Sequence, residues 1–456
     1  ARALAEKDFA AADNSLPKPL ADISYDDYRA IRFRPDRALW RDAGLPFQVQ
    51  LFHRGFIFKD RVEIFEVVDG QATRIAYSPD LFDFGKATLP PADAGLGFAG
   101  FRFRAPINRP DYFDEVAVFL GASYFRAVGK GQNYALSARG LSLNTGAAFR
   151  AFWIERPSKQ SDAVTVHALL DSKSTTAAHR FTIRPGTTTV FDVDMALYPR
   201  VNLDKAGIGT LTSMFFFDAH DRIGVDDFRP AVHDSDGLAI RNGYGEELWR
   251  PLTNPRDLQI SVFGDPGTRG FGLLQRQRDF RTFQDLESRF ETRPSAWVEP
   301  VGDFGEGAVH LLEIPTKEEI HDNIVTFWRP KAALEAKQEH TFNYRLYWGD
   351  DKPNAPRLAA FTKVRAGAAA NDGRLFVIEA TGDVLRDIDP AGVQPVVTTD
   401  KGEIRNVVLQ RNSVTRGWRL SFELHPGREK LAEWRAQLKR GDEALSEVLI
   451  YRWTAG

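Results

Sequence analysis

The segment HRFTIRPGTTTVFDVDMALY, His179 to Tyr198, alternates along its second half. Phe191, Val193, Met195 and Leu197 face one way and Asp192 and Asp194 the other, with Pro185-Gly186 as the turn before them. A period of two suits a half-buried strand and does not suit a helix, whose apolar face recurs every three to four residues. The same signature returns in FQVQLFHRGFIF (Phe47 to Phe58), RVEIFEVV (Arg61 to Val68) and AVTVHALL (Ala163 to Leu170), and it continues to about residue 348 with few helical segments. Short strands with frequent turns predict an all-β protein, a sandwich or barrel and not a parallel α/β sheet. Some 300 residues of this pattern exceed one small sandwich, so a large, many-stranded antiparallel β-sandwich is expected.

The expected borders are 1–348 for this large domain, 349–357 for a linker and 358–456 for a second domain. GDDKPNAPR, Gly349 to Arg357, is polar and carries two prolines. Beyond it, RLFVIEA, VVLQRN and GWRLSFEL resume the alternation, with Trp418, Leu420, Phe422 and Leu424 in step. Their number and length predict a small immunoglobulin-like sandwich. Two helices are expected. One runs over 24–43, started by Ser24 and Asp27 in a capping-box-like pattern. The other runs over 428–439, with Leu431, Trp434 and Leu438 on one side.

Composition narrows the function. Sixty basic against 62 acidic residues leave a net charge of −2, which argues against nucleic acid as a partner. With no cysteine there is no disulfide framework, thiolate zinc site or cysteine nucleophile. HExxH, an EF-hand loop, G-x-S-x-G and a dinucleotide fingerprint are all missing, so no metal or cofactor is expected. Aromatic residues make up 12%, with 34 Phe and 9 Trp. They suit a β-core, and they also suit a cleft in which rings stack on sugars.

His-Asp occurs three times, at His220-Asp221, His233-Asp234 and His321-Asp322. An Asp in a turn often does no more than bond backbone N–H groups. Two carboxyl groups on opposite sides of a glycosidic bond can also cleave it.

Longer phrases carry a resemblance. They are LGFAGFRF, FLGASYFRAVGKGQNYALSARGL, FWIERP, LTSMFFF, RPAVHDSDGL, LWRPLTNP, GFGLLQRQRDF, RPSAWVEP and EIPTKEEIHDNIV, in that order between Leu96 and Val325. Together they resemble the periplasmic glucan biosynthesis protein family, members G and D, from about Leu16 to the C-terminus. The resemblance implies a galactose-mutarotase-like β-sandwich followed by an immunoglobulin-like domain, and export to the periplasm with a signal peptide removed. It implies action on β-1,2-glucan, as an inverting endo-β-1,2-glucanase or as a transglycosylase that closes a ring through an α-1,6 bond. A non-catalytic glucan-binding scaffold remains a competing reading. A membrane glucan synthase and a second copy of the chain are further implied partners.

By the same resemblance, Asp322 is the general acid and Asp234 the general base. Burial of Asp322 against aromatic neighbours is expected to raise its pKa. Arg126, Tyr134 and Arg139 are candidates to bond sugar hydroxyls, or else members of a β-ladder. Trp249, Trp297 and Trp328 are candidate stacking platforms, with core packing the simpler reading of each. Arg278 and Asp279 are read as a clamp on sugar, or else as a buried salt bridge. The segment LNTGAAFRAF is shorter than the loop the family carries there.

Overall fold

The computed structural model describes residues 1–85, 95–355 and 357–455. Strands dominate, most of them in antiparallel sheets, so the chain is an all-β sandwich protein. No helix among the described residues is long and apolar enough to cross a membrane.

By internal contacts the chain forms two compact units. The first comprises Ala1–Leu211, Val298–Ala308 and Phe327–Gly349; the second comprises Thr212–Trp297, Val309–Thr326 and Asp350–Gly456. These borders do not follow the sequence division at 349–357, and Pro356 of that segment lies outside the described residues.

The first unit is a sandwich. One layer runs through Ala148–Glu155, Val164–Asp171, Thr175–Arg184, Thr189–Pro199 and His340–Gly349, each antiparallel to the next. The other runs through Gln48–Phe52, Gly100–Arg109, Tyr112–Leu120, Tyr124–Ala127 and Ser137–Arg139. The alternation read at 191–197 holds: Phe191, Val193, Met195 and Leu197 are buried, while Asp192 and Asp194 pair with Arg345 and Arg180 on the outer face. Between the layers Phe119 meets Phe181 at 5.3 Å and Phe152 at 5.6 Å, and Phe125 stacks on Phe191 at 5.7 Å. Contacts of this spacing add to the area each ring buries.

In the second unit Gly237–Arg241 lies between Glu247–Pro251 and Gly270–Leu274. Residues 360–454 build two layers. Ala360–Ala368, Arg374–Thr381, Gly417–His425 and Glu403–Asn412 form a four-stranded sheet. Gln394–Thr399, Leu431–Arg440 and Val448–Thr454 face it, with Trp434 packed on Phe376 and Phe422 at 4.9 Å each. This two-layer piece is joined to the rest of its unit by parallel pairing of Leu248 with Val448 and by the ion pairs Arg276–Glu447 and Lys363–Asp218.

Neither expected long helix forms. Ser24 does cap one, accepting a bond from the Asp27 N–H at 3.1 Å, but the helix is Tyr25–Ala30 only. Ile31 is extended, Pro35 follows, and Trp40 sits at φ +70°, none of which continues a helix. Residues 431–440 are a strand. Ala432, Trp434, Ala436 and Leu438 are its buried face; reading the two alanines as neutral left an apparent helical spacing, and helix-favouring residues were overridden by tertiary packing.

Candidate active site

The segment LTSMFFF enters the second unit as a spine. Its strand Phe215–Phe217 pairs with Val232–His233. One residue beyond, the Asp234 N–H donates to the Met214 carbonyl at 2.9 Å, and the Ser213 and Ser235 hydroxyls lie 2.8 Å apart. On Phe215 itself, the Asn323 side chain accepts from the N–H at 2.8 Å and donates to the carbonyl at 2.9 Å. An amide carries one acceptor and donors in the arrangement of a peptide, so buried Asn323 pairs with Phe215 as a neighbouring strand would. It also donates to the Ile314 carbonyl at 3.1 Å and accepts, through its own carbonyl, from the Ile314 N–H at 2.9 Å. Consecutive residues 214 and 215 thus anchor the segments that carry Asp234 and Asp322, which are 88 positions apart in the chain.

The two carboxyl groups differ. The Asp234 side chain is 12% exposed and forms an ion pair with Arg293 Nε at 3.6 Å. Asp322 is exposed, which corrects the expected burial. Asn323 is the residue that turns inward, and alternation sends its neighbour outward. A further clamp joins the loops beside both: Arg229 pairs with Asp227 at 2.8 Å, Asp285 at 2.9 Å and Glu319 at 2.5 Å.

Behind Asp234 lies a buried polar layer that the sequence reading missed. Asp218 accepts from Lys363 Nζ at 2.7 Å and stands 3.9 Å from ring nitrogens of both His220 and His233. Burial alone would raise this carboxyl; Lys363 and the two imidazoles outweigh it and hold it below its ordinary value. Burial pushes His233 down to about 4 and Asp236 up to about 6, the latter against the pull of Arg276. Glu313 is fully buried, paired with Arg250 at 3.0 Å and bonded by Thr253. The legible signal was a charge set among apolar residues, as Lys363 in FTKV or Glu447 just before the strand that begins VLIY.

The remaining expected residues fall into three groups. Trp249, Trp297 and Trp328 are 3%, 1% and 0% exposed, and a buried ring has no free face for a sugar. Each covers a glycine: a Cβ on Gly237, Gly270 or Gly307 would fall 2.2 to 2.5 Å from Trp249, Trp297 or Trp328 respectively. Their stacking role is therefore replaced by core packing. Trp249 also carries the Arg276 guanidinium at 3.5 Å.

Arg278 and Asp279 do not clamp together. Arg278 donates to the carbonyls of Arg293 and Asp350, tying down backbone, while Asp279 caps the short helix Phe280–Phe283 and pairs with Arg281.

Arg126, Tyr134 and Arg139 belong to the first unit. Arg139 lies over the Tyr124 ring at 4.3 Å and donates to its hydroxyl. Arg126 shares that strand two residues on. Burial, with Glu115, raises the Tyr134 hydroxyl well above its ordinary value, while Arg126 pulls the other way.

No cluster of three or more metal-ligating side chains occurs among the described residues. What the second unit presents is one exposed carboxylate and one sheltered carboxylate on opposite sides of a single strand, an arrangement that can move protons.

Comparison with known proteins is consistent along the whole chain. The family described as periplasmic glucan biosynthesis protein, MdoG, matches residues 1–453. Glucans biosynthesis protein G of Rhodopseudomonas palustris strain BisA53 is 60% identical over all of this chain and 92% of its own length. The protein of that name from Bradyrhizobium diazoefficiens is 58% identical with the same coverage. Its namesake in Vibrio cholerae is 49% identical over all of this chain and 85% of its own length. The chain belongs to the periplasmic glucan biosynthesis protein family.

Proposed function

We propose that this protein is an enzyme acting on β-1,2-glucan by inverting endo-cleavage, with Asp322 as general acid and Asp234 as general base. The observation that carries the reading is the shared anchor at Met214 and Phe215, which brings two distant Asp segments to either side of one strand. Inverting glycosidases hold their carboxyl groups about 6.5–9.5 Å apart, leaving room for water.

In the step itself, Asp322 gives its proton to the glycosidic oxygen as that oxygen leaves the anomeric carbon. Water bonds to this carbon from the opposite face, and its proton passes to Asp234, directly or through an intervening hydroxyl. The configuration inverts. If a hydroxyl of the glucan takes the place of water, the same acid yields transfer and a ring. The exposure of Asp322 fits an acid that is covered by the sugar chain it protonates.

The test is incubation with linear β-1,2-glucan, reading product mass and the anomer first formed. Wild-type protein is expected to shorten the chains, and Asp322→Asn to lower turnover by about 10²–10⁴-fold with the fold retained. Cyclic products, one water lighter, would move the reaction to transfer. No product of any kind would leave a glucan-binding scaffold serving a membrane synthase.

A further inference from the structure

Three large apolar side chains stand out from the surface of the second unit. Phe228, Leu286 and Ile320 are 81%, 78% and 77% exposed, and among the described large apolar residues only Val414 exceeds them. They come from three loops distant in sequence, yet each is the chain neighbour of a residue in the Arg229 ion-pair cluster. Phe228 precedes Arg229, Leu286 follows Asp285 and Ile320 follows Glu319. The Arg229 guanidinium holds Asp227, Asp285 and Glu319 at 2.5 to 2.9 Å. Each apolar side chain is thus rooted one residue from a member of this cluster.

The loops are pinned by further bonds. Asp285 is fixed further by accepting from the N–H groups of Glu287 and Ser288 at 3.0 and 2.8 Å, and Arg222 ties Asp227, Arg229 and Pro230 through their carbonyls. Rigid loops that each present an apolar side chain to water gain nothing for the folded chain alone. Grouped exposed apolar side chains mark a surface that something covers.

Position and chemistry name the occupant. Ile320 is two residues before Asp322 on the same loop, and Phe228 is six before Asp234, so two of the three loops run on to the two acids. A glucose ring has apolar C–H faces and hydroxyl edges. An aromatic ring takes the face, aliphatic groups flank it, and the carboxylate oxygens of Glu319, still partly exposed, accept from the edge.

We propose that Phe228, Leu286 and Ile320 form an outer platform for the glucan chain, holding sugar units beyond the bond to be cut, with Arg229 as the pin that sets the platform against the Asp322 loop. This rests on the functional reading above and extends it from the two acids to the length of chain they recognise. Phe228 is the specificity-determining residue of the platform. Long chains reach it, and very short oligosaccharides do not.

The experiment measures calorimetric binding and steady-state kinetics on long linear β-1,2-glucan and on a short oligosaccharide of the same linkage. It compares wild type, Phe228→Ala, Phe228→Trp and Leu286→Ala/Ile320→Ala. All these positions are exposed, so thermal stability is expected to hold. Phe228→Ala is expected to weaken binding of the long chain about tenfold, a loss of about 1.4 kcal/mol, carried by KM more than by kcat. Phe228→Trp should restore it, and the short oligosaccharide should be bound alike by all four proteins.

Equal binding of the long chain by wild type and Phe228→Ala would overturn the platform while leaving the two acids their role. Equal loss on long and short substrates would overturn it too, because the effect would then act at the cleavage point. A change in sedimentation coefficient on Phe228→Ala, without a change in glucan affinity, would assign the surface to a second copy of the chain. A wild type that neither binds nor converts the glucan would remove the functional reading and the platform with it.

Discussion

The two units build a β-interior with different emphasis. The first fills its sandwich with rings: Phe101, Phe119, Phe125, Phe152, Phe181 and Phe191 interlock within 5.0 to 6.4 Å, and its pairs on Asp192 and Asp194 stand on the outer face. The first also holds a buried ion pair at Asp171, with Arg200 and Arg150; the second buries more charge. Arg250–Glu313, Arg276–Glu447, Lys352–Glu247 and Lys363–Asp218 all lie largely out of water. Burying an ion pair costs desolvation that its own attraction often fails to offset, and an apolar replacement of equal volume is frequently as stable. Stability therefore accounts for the ring-filled interior but not for the greater share of buried charge in the second unit. Charges kept at such a cost belong where chemistry is positioned, and both candidate acids are anchored in the second unit.

The largest effects should expose this contrast. Phe119→Ala removes a ring from the centre of the aromatic sandwich and is expected to cost about 3–5 kcal/mol. Glu313→Leu is expected to cost a similar about 3–5 kcal/mol, because it leaves the Arg250 guanidinium buried without its carboxylate. Adding Arg250→Met to Glu313→Leu should then recover much of the loss, short of the bond from Thr253. Denaturant unfolding of the three variants checks this. If the double variant is as weak as the single one, the buried pair is itself a source of stability and the contrast fails.

Acid should separate the units next. His53 and His179 in the first unit and His233 in the second are all pushed by burial down to about 4. In the unfolded chain an imidazole takes its proton near 6.5, so each folded site resists protonation between those values. Relative to pH 7, stability falls as pH drops from 6.5 to 4, by about 3 kcal/mol per imidazole. Asp236 runs the other way: raised from 3.8 to about 6, it is protonated more readily in the folded chain, and stability rises as pH falls from 6 to 3.8. Asp221, also raised by burial, acts with it, whereas Asp218, held low, acts against it below its ordinary range. Acidification to pH 4.5 should thus weaken the first unit more than the second. Hydrogen exchange in Val164–Asp171 against Gly237–Arg241 measures this, and equal loss of protection in both would contradict it.

A smaller effect concerns the joint of the site. Asn323→Ala removes three side-chain bonds to Phe215 and Ile314 and is expected to cost about 1–3 kcal/mol for the buried groups left unpaired. Turnover should fall beyond what the stability loss explains, since Asp322 depends on this anchor. A variant of reduced stability and full activity per folded molecule would show that Asp322 is held by other contacts.

How far the sequence could be read follows from what kind of signal each feature leaves. Period-two alternation was legible at 191–197 because large apolar residues mark every buried position. At 432–438 two of the four buried positions are alanines, and the strand was read as a helix. The tryptophans were legible as important but not as glycine covers, because Gly237, Gly270 and Gly307 are partners only across the sheet. The two acids stood out through whole motifs resembling a family, whereas Asn323 beside one of them did not. Its bonds reach back 108 positions to Phe215, and no local pattern records such a pairing. The unit borders escaped for the same reason, since the second unit collects three separate stretches of chain.

The smallest effect should come from the outer face of the first unit. Arg180 bonds Asp194 through Nε at 2.8 Å and its terminal nitrogen at 2.6 Å, with both side chains about half exposed. By distance alone this pair is tighter than Arg250–Glu313. If distance decided strength, Arg180→Ala would rival Glu313→Leu. Water and salt screen an exposed pair, and holding two long side chains in place costs entropy, so the expected loss is only about 0–1 kcal/mol. Raising ionic strength should shrink it further, while the penalty of Glu313→Leu should hardly change, because counterions do not enter that interior. Unfolding of both variants at low and high salt tests the point. A salt-independent loss above about 2 kcal/mol at Arg180 would mean that this outer pair is sheltered as the inner ones are, and that burial of charge does not distinguish the two units.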